Sequence, residues 1–323
     1  MKRRARTRER VPGAPCESND HAVHRPRCNL RCVTREAKPA PFDLSSLLSV
    51  TPEAAFIASF VRKERLVIAG GDPLRAAPLL PMWMLERLVS SGELPAARLT
   101  VLRGGDVVPA ATFRDADGRM RRDALDGLIA AGVSLVVADI DHDVPGIARL
   151  SDALALRLGQ TVFTNAYVTH GEGGALAPHY DDHDVLVLQL HGAKRWFSHG
   201  TPTPSPVTPS PDGVDFGPAQ WDTVVNAGDV LYLPRGEVHH TEVVTTPSVH
   251  LTFGIDTTRG VDLAAAILED VANEPLFRED LTALGGEDML REKEGRLKAR
   301  LHACIDAADV SALLARKAAA KRR

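Results

Sequence analysis

A mainly β fold with flanking helices, its core a closed or double-sheet jelly roll, is what the pattern of this chain predicts. Three observations carry the expectation. Seven short apolar stretches crowd the segment 162–255, bounded by turn residues and with hardly any helical periodicity among them. The helix and strand patterns before residue 159 alternate, yet their only glycine pairs, Gly70-Gly71 and Gly104-Gly105, form neither a G-x-G-x-x-G nor a P-loop. The stretch at 200–217, GTPTPSPVTPSPDGVDFG, is too rich in proline to be a central strand and reads as a surface excursion near the mouth of the barrel.

In chain order, residues 1–42 come first, with scattered prolines, little apolar periodicity and 11 Lys/Arg against 4 Asp/Glu. That composition reads as a disordered basic segment. It holds Cys16, Cys28 and Cys32 near His21 and His24, but the spacing fits no standard zinc pattern. Thr51-Pro52 opens a helix, EAAFIASFVRKE, by placing a capping residue and a proline at its first turn. Strands follow at 65–70, 99–103 and 134–140, and helices at 81–91, 119–131 and 144–158. Without a nucleotide-binding fingerprint, these strands are expected to extend a β-sandwich with the helices packed outside it. The strands of the core are expected at 162–169, 184–191, 195–199, 223–225, 230–233, 238–245 and 249–255. From Val261 the pattern is helical again, with Leu263, Ile267, Leu268 and Val271 at helical spacing.

Composition narrows the class of protein. With 323 residues, 44% hydrophobic and 25% charged, a sizeable core is expected. No apolar run approaches the roughly 18 residues that a membrane span requires, and the basic start is followed by no signal-peptide core. Four cysteines give no disulfide framework, and a reducing cytoplasm is the expected location. Residues 316–323 add five basic and no acidic residues, so residues 43–315 hold 23 basic against 38 acidic. An acidic body between basic ends suits a basic polypeptide partner, whereas the ends read as solvated tails rather than as a nucleic-acid surface.

The chemistry concentrates in two motifs. Pro178-His179-Tyr180-Asp181-Asp182 stands before the apolar run from Val185 to Leu190. Residues i and i+2 of an extended segment face one side, so His179 and Asp181 converge. With a second His from elsewhere, they make the 2-His-1-carboxylate triad of iron-type sites. The candidate lies in Gly228-Asp229-Val230-Leu231-Tyr232-Leu233-Pro234-Arg235-Gly236-Glu237-Val238-His239-His240, read as a hairpin whose second arm brings its histidines back to His179. His239 is the expected third ligand; a one-residue bulge would exchange it for His240.

These pieces, with Asn165-Ala166-Tyr167, Gly192-Ala193-Lys194-Arg195-Trp196 and Val249-His250-Leu251-Thr252, resemble the JmjC, or cupin-like, 2-oxoglutarate-dependent oxygenases, and among them the ribosomal oxygenases. The resemblance implies a double-stranded β-helix core and a catalytic domain at 43–258. The helical region that follows at 259–323 has two readings, a homodimer contact or a cap on the barrel, between which sequence alone does not choose. It implies His179, Asp181 and His239 as catalytic Fe(II) ligands, with 2-oxoglutarate and molecular oxygen as co-substrates. Lys194, placed after a turn at Gly192, would hold the far carboxylate of 2-oxoglutarate, with Tyr167, Thr252 and Asn165 beside it. Tyr180 and Trp196 are expected to pack, and His170, His183 and His250 to stay off the metal. The activity expected is hydroxylation of a protein or peptide side chain, a ribosomal protein in the first place, with demethylation left open. The same chemistry on a small molecule or peptide natural product, and a non-enzymatic cupin-type metal-binding protein, are the rival readings.

Overall fold

The computed structural model describes residues 42–49, 51–171, 176–282 and 284–320, so the expectations about 1–41, the three cysteines there included, lie outside the described residues. In chain order the elements are helices α1 (Leu44–Leu48) and α2 (Glu53–Arg62), strand β1 (Leu66–Ile68), helices α3 (Pro73–Ala76) and α4 (Met82–Ser90), strands β2 (Leu99–Arg103) and β3 (Asp106–Val107), helix α5 (Arg122–Ala130), strand β4 (Ser134–Val137) and helix α6 (Pro145–Leu158). The jelly-roll strands are β5 (Thr161–Thr169), β6 (Asp184–Gly200), β7 (Trp221–Asn226), β8 (Val230–Leu233) and β9 (Val238–Asp256). Helices α7 (Gly260–Ala272), α8 (Glu287–Ala307) and α9 (Val310–Ala320) close the chain.

Two long bent strands organise the core. β6 and β9 each run through what the sequence reads as two strands, and each serves two ladders. The first half of β6 lies between β8 and the second half of β9, whereas its second half lies between β7 and the first half of β9. The strand order β1-β8-β6-β9-β5-β4-β2-β3 extends the first ladder, all of it antiparallel, so the strands before residue 159 do lengthen the sheet.

Two sequence expectations are corrected here. Gly192 makes no turn between strands: it sits inside β6 at φ 64°, where the register with β9 slips. A Cβ there would come 2.6 Å from the carbonyl oxygens of both Thr245 and Pro247, so only glycine allows the bend. Likewise β8 and β9 make no hairpin, because β8 pairs with β1 and β6 while β9 crosses to the far side of β6. The Pro234-Arg235-Gly236 corner carries the chain over the end of β6, and the backbone amide of Arg235 is held there by the Asp184 carboxylate at 2.8 Å.

Helices cover the outer face of the extended sheet. Phe56 of α2 is fully buried and meets Tyr232 of β8 edge-on, with ring centroids 5.9 Å apart. Leu150 and Leu154 of α6 are buried in the same apolar cluster as Val162 of β5. The Gly70-Gly71 pair has a packing role. The Gly70 amide donates to Asp229 at 2.9 Å, and a Cβ on Gly71 would collide with the Gly228 carbonyl. The sequence reads a strand to Ile140, but β4 ends at Val137 because Asp139 takes left-handed φ of 51° before a single helical turn.

In the C-terminal helices, Arg300 grips Glu274 with its fork at 2.6–3.1 Å. Leu313 of α9 and Ala266 and Val271 of α7 are each buried. No described helix is long and apolar enough to cross a membrane.

A candidate metal centre in the barrel

Two backbones meet where the corner enters β9. His179 and His239 form an antiparallel bridge, with amide-to-carbonyl bonds of 3.1 and 2.8 Å in the two directions. The bridge brings their rings to 4.6 Å between centroids. The Gly236 amide donates to the Asp181 carbonyl at 3.0 Å, fixing the loop so that an Asp181 carboxylate oxygen stands 3.8 Å from His239 Nε2. One donor atom each from His179, Asp181 and His239 lies within 4.8 Å of the others.

The histidines are also prepared in orientation. Each has its Nδ1 against a backbone carbonyl two residues back, Ala177 at 2.9 Å for His179 and Glu237 at 3.0 Å for His239. Donation from Nδ1–H leaves the Nε2 lone pair free, the arrangement that metal-ligating imidazoles share. Burial, with His179 adding to it, pushes His239 down to about 4, so the ring is neutral and open to a metal at physiological pH. Glu237, whose carbonyl takes part, is itself tied by ion pairing to Arg65, which lies flat over Trp221 at 4.0 Å.

His240 faces a different set of partners. Its ring stacks on Phe197 at 4.5 Å and 6°, and its Nδ1 is 2.9 Å from His199 Nε2. It reaches the wall of the same cavity but is absent from the cluster of three among the described residues. Asp182 and His183 pair with each other at 3.2 Å, and His170 lies at a separate pocket against α4 and α5.

Behind the three ligand candidates is a cavity of about 220 Å³ lined by all four residues expected to serve the co-substrate. Lys194 is 1% exposed and has no ion-pair or hydrogen-bond partner among the described residues. Burial pushes it down to about 8. A buried ammonium without a counter-ion costs several kcal/mol of desolvation, which an entering carboxylate would offset. Tyr167 is pushed up to about 12, by burial first and by Asp181 second, and remains a phenol donor. Asn165 spends its side-chain oxygen on the Asp139 amide at 3.1 Å, and its strand partner across the β5–β9 ladder is Thr252. The donor set and the buried Lys194 thus fit a divalent iron-type ion and a dicarboxylate keto acid.

Sequence reasoning missed part of the lining. Trp196, expected only to pack, is buried and also walls the cavity, and so does His250. The signal was alternation: Lys194 and Trp196 on β6, and His250 and Thr252 on β9, are i and i+2 pairs that face together.

A jelly roll with a histidine and carboxylate triad at one end of its cavity is the architecture of the JmjC domain, and residues 142–263 match the family model described as JmjC domain. Over those residues the chain is similar to the JmjC domain, and beyond them it is similar to the ribosomal oxygenases. It is 36% identical to mouse "Ribosomal oxygenase 2" over 261 residues, which cover 77% of this chain and 54% of that protein. It is 32% identical over 146 residues to the "Bifunctional lysine-specific demethylase and histidyl-hydroxylase NO66" of Drosophila mojavensis, covering 43% of this chain and 16% of that one. The chain therefore spans about half or less of these curated relatives. Among solved structures, Escherichia coli YcfD, described as a ribosomal oxygenase in complex with cobalt and 2-oxoglutarate, superposes with a TM-score of 0.50. At 18% identity, covering 77% of this chain and 67% of that one, the likeness concerns the fold.

Proposed function

We propose that this chain is an Fe(II)- and 2-oxoglutarate-dependent oxygenase that hydroxylates a side chain of a protein or peptide, a ribosomal protein in the first place. The observation that carries the proposal is the juxtaposition of the His179, Asp181 and His239 donor atoms with a cavity whose buried Lys194 has no counter-ion among the described residues. His179, Asp181 and His239 hold the metal, and Lys194 holds the far carboxylate of 2-oxoglutarate, assisted by Tyr167 and Thr252. The hydroxylase and oxygenase names of the relatives and the cobalt and 2-oxoglutarate bound to YcfD support this reading.

When bound, iron and keto acid would supply the chemistry: 2-oxoglutarate and oxygen would give succinate and carbon dioxide, one oxygen atom entering succinate and the other a substrate C–H bond. The protein's part is positioning. The paired His179 and His239 backbones set two donor side chains at a fixed separation, and with Asp181 they would hold the metal ion. Val185 and Trp196 give the cavity part of its apolar lining. The acidic balance of residues 43–315 favours approach of a basic polypeptide.

Mass spectrometry of ribosomal proteins from cells with and without the gene tests the reading. Gain of one oxygen on one side chain, dependent on the gene and lost in Asp181→Ala, is expected. Loss of a methyl group from lysine would assign demethylation, and 2-oxoglutarate turnover stimulated only by small molecules would move the substrate class.

A further inference from the structure

Among the polar side chains of the cavity that have no part in the chemistry so far is His250. His250 precedes Thr252 by two residues on β9 and turns to the same side, so its ring shares the cavity wall with Lys194 and Tyr167. It is 3% exposed. Tyr167 lies parallel to it at 4.8 Å and 3°, and Trp196 meets it edge-on at 5.6 Å and 75°. Two aromatic neighbours therefore fix the plane of the imidazole.

The hydrogen bonding of the ring is incomplete. Nδ1 is sealed from solvent and has no partner, and Nε2 has none among the described residues but is not sealed. Buried polar groups are almost always satisfied, and because Nδ1 is sealed, a ligand in the cavity meets this ring at Nε2. Burial, with the charge of Lys194 adding to it, keeps the ring neutral, so it brings a donor to the cavity without a second positive charge.

Resting on the function proposed above, we infer that His250 donates its Nε2–H to the far carboxylate of 2-oxoglutarate, beside Lys194. The lysine ammonium is a point charge on a flexible stem and does not orient a carboxylate by itself. A flat ring clamped between aromatics gives direction to the second oxygen. The two together select a keto acid that carries a carboxylate at its far end.

The test uses the full chain loaded with Mn(II), as wild type, His250→Phe and His250→Gln, titrated calorimetrically with 2-oxoglutarate and with pyruvate. Pyruvate has the chelating end and lacks the far carboxylate. His250→Phe is expected to bind Mn(II) as wild type does, to bind 2-oxoglutarate about tenfold more weakly, and to bind pyruvate unchanged. His250→Gln, which keeps an N–H donor near the same place, should recover most of the loss. Equal 2-oxoglutarate affinity in wild type and His250→Phe, or an equal loss for both keto acids, would overturn the inference and leave His250 a packing residue. Wild type that binds Mn(II) without binding 2-oxoglutarate would instead overturn the proposed function. Should His250→Phe fail to fold, nitrogen-15 histidine spectra of Zn(II)-loaded wild type decide. A His250 Nε2–H signal shifted downfield by 2-oxoglutarate and not by pyruvate supports the inference; an unmoved signal sinks it.

Discussion

At the scale of the residue, neighbours in sequence are separated by their partners. His239 and His240 are consecutive, yet one is bonded to the Glu237 carbonyl beside Asp181 and the other to His199 beside Phe197. Asp181→Ala should therefore abolish both Mn(II) uptake and turnover, whereas His240→Ala should keep Mn(II) affinity within about twofold; Mn(II) titration followed by electron paramagnetic resonance distinguishes them. The reverse pattern would exchange the ligands. Lys194→Ala should leave metal uptake intact and raise the apparent 2-oxoglutarate constant about tenfold to a hundredfold, the scale of a charge-assisted bond of roughly 1.5–3 kcal/mol. Because burial holds the Lys194 pKa near 8 rather than above 10, the free protein loses this charge as pH rises through about 8. The carboxylate favours the protonated form, so 2-oxoglutarate affinity should fall as pH rises above that point. A Lys194→Arg chain, permanently charged, should lack that fall even if its baseline affinity is lower.

At the scale of the element, the two ladders are one structure because β6 and β9 bend instead of ending. The bend in β6 depends on Gly192, which meets two carbonyl oxygens at the distance where a side chain would begin. Gly192→Val should cost at least about 1–3 kcal/mol from the left-handed backbone alone, read as a lower urea midpoint. Since Lys194 and Trp196 follow the bend on the same strand, a surviving fraction of this variant should also bind 2-oxoglutarate more weakly. Wild-type stability with wild-type binding would show that the bend is set elsewhere. The Arg65 and Glu237 ion pair plays the corresponding part at the other corner, where it ties the residue before β1 to the entry of β9.

At the scale of the whole molecule, the described residues from Phe42 onward contain the core, the cavity and the three ligand candidates. Deleting residues 1–42 should therefore leave 2-oxoglutarate decarboxylation intact, measured as succinate formed per enzyme. Loss of soluble protein on that deletion would return attention to Cys28 and Cys32. The helices beyond β9 are held to one another by Arg300 with Glu274 and by Lys317 with Asp262, and α8 buries no residue in the described chain. If a homodimer forms through this region, sedimentation velocity should show it depend on α8, and a monomer at all accessible concentrations would remove that expectation.

The sequence by itself determined the local choices. Alternating apolar residues specify strands, proline excludes 200–217 from the sheet, and i and i+2 spacing aims His179 and Asp181 to one side; each of these depends on near neighbours alone. Tertiary structure decided what depends on residues far apart in the chain. Whether 184–200 was two strands or one bent strand turned on the Thr245 and Pro247 carbonyls pressed against Gly192. The packing role of Gly70-Gly71 depended on Gly228 and Asp229, about 160 positions away. That β9 crosses over β6 rather than folding back on β8 follows from hydrogen bonding to β5 and β6, which no local pattern encodes. His250 shows the same division: its spacing from Thr252 was legible, but its unfilled nitrogens emerge only when Tyr167, Trp196 and Lys194 close around it, because burial belongs to the fold and not to the residue.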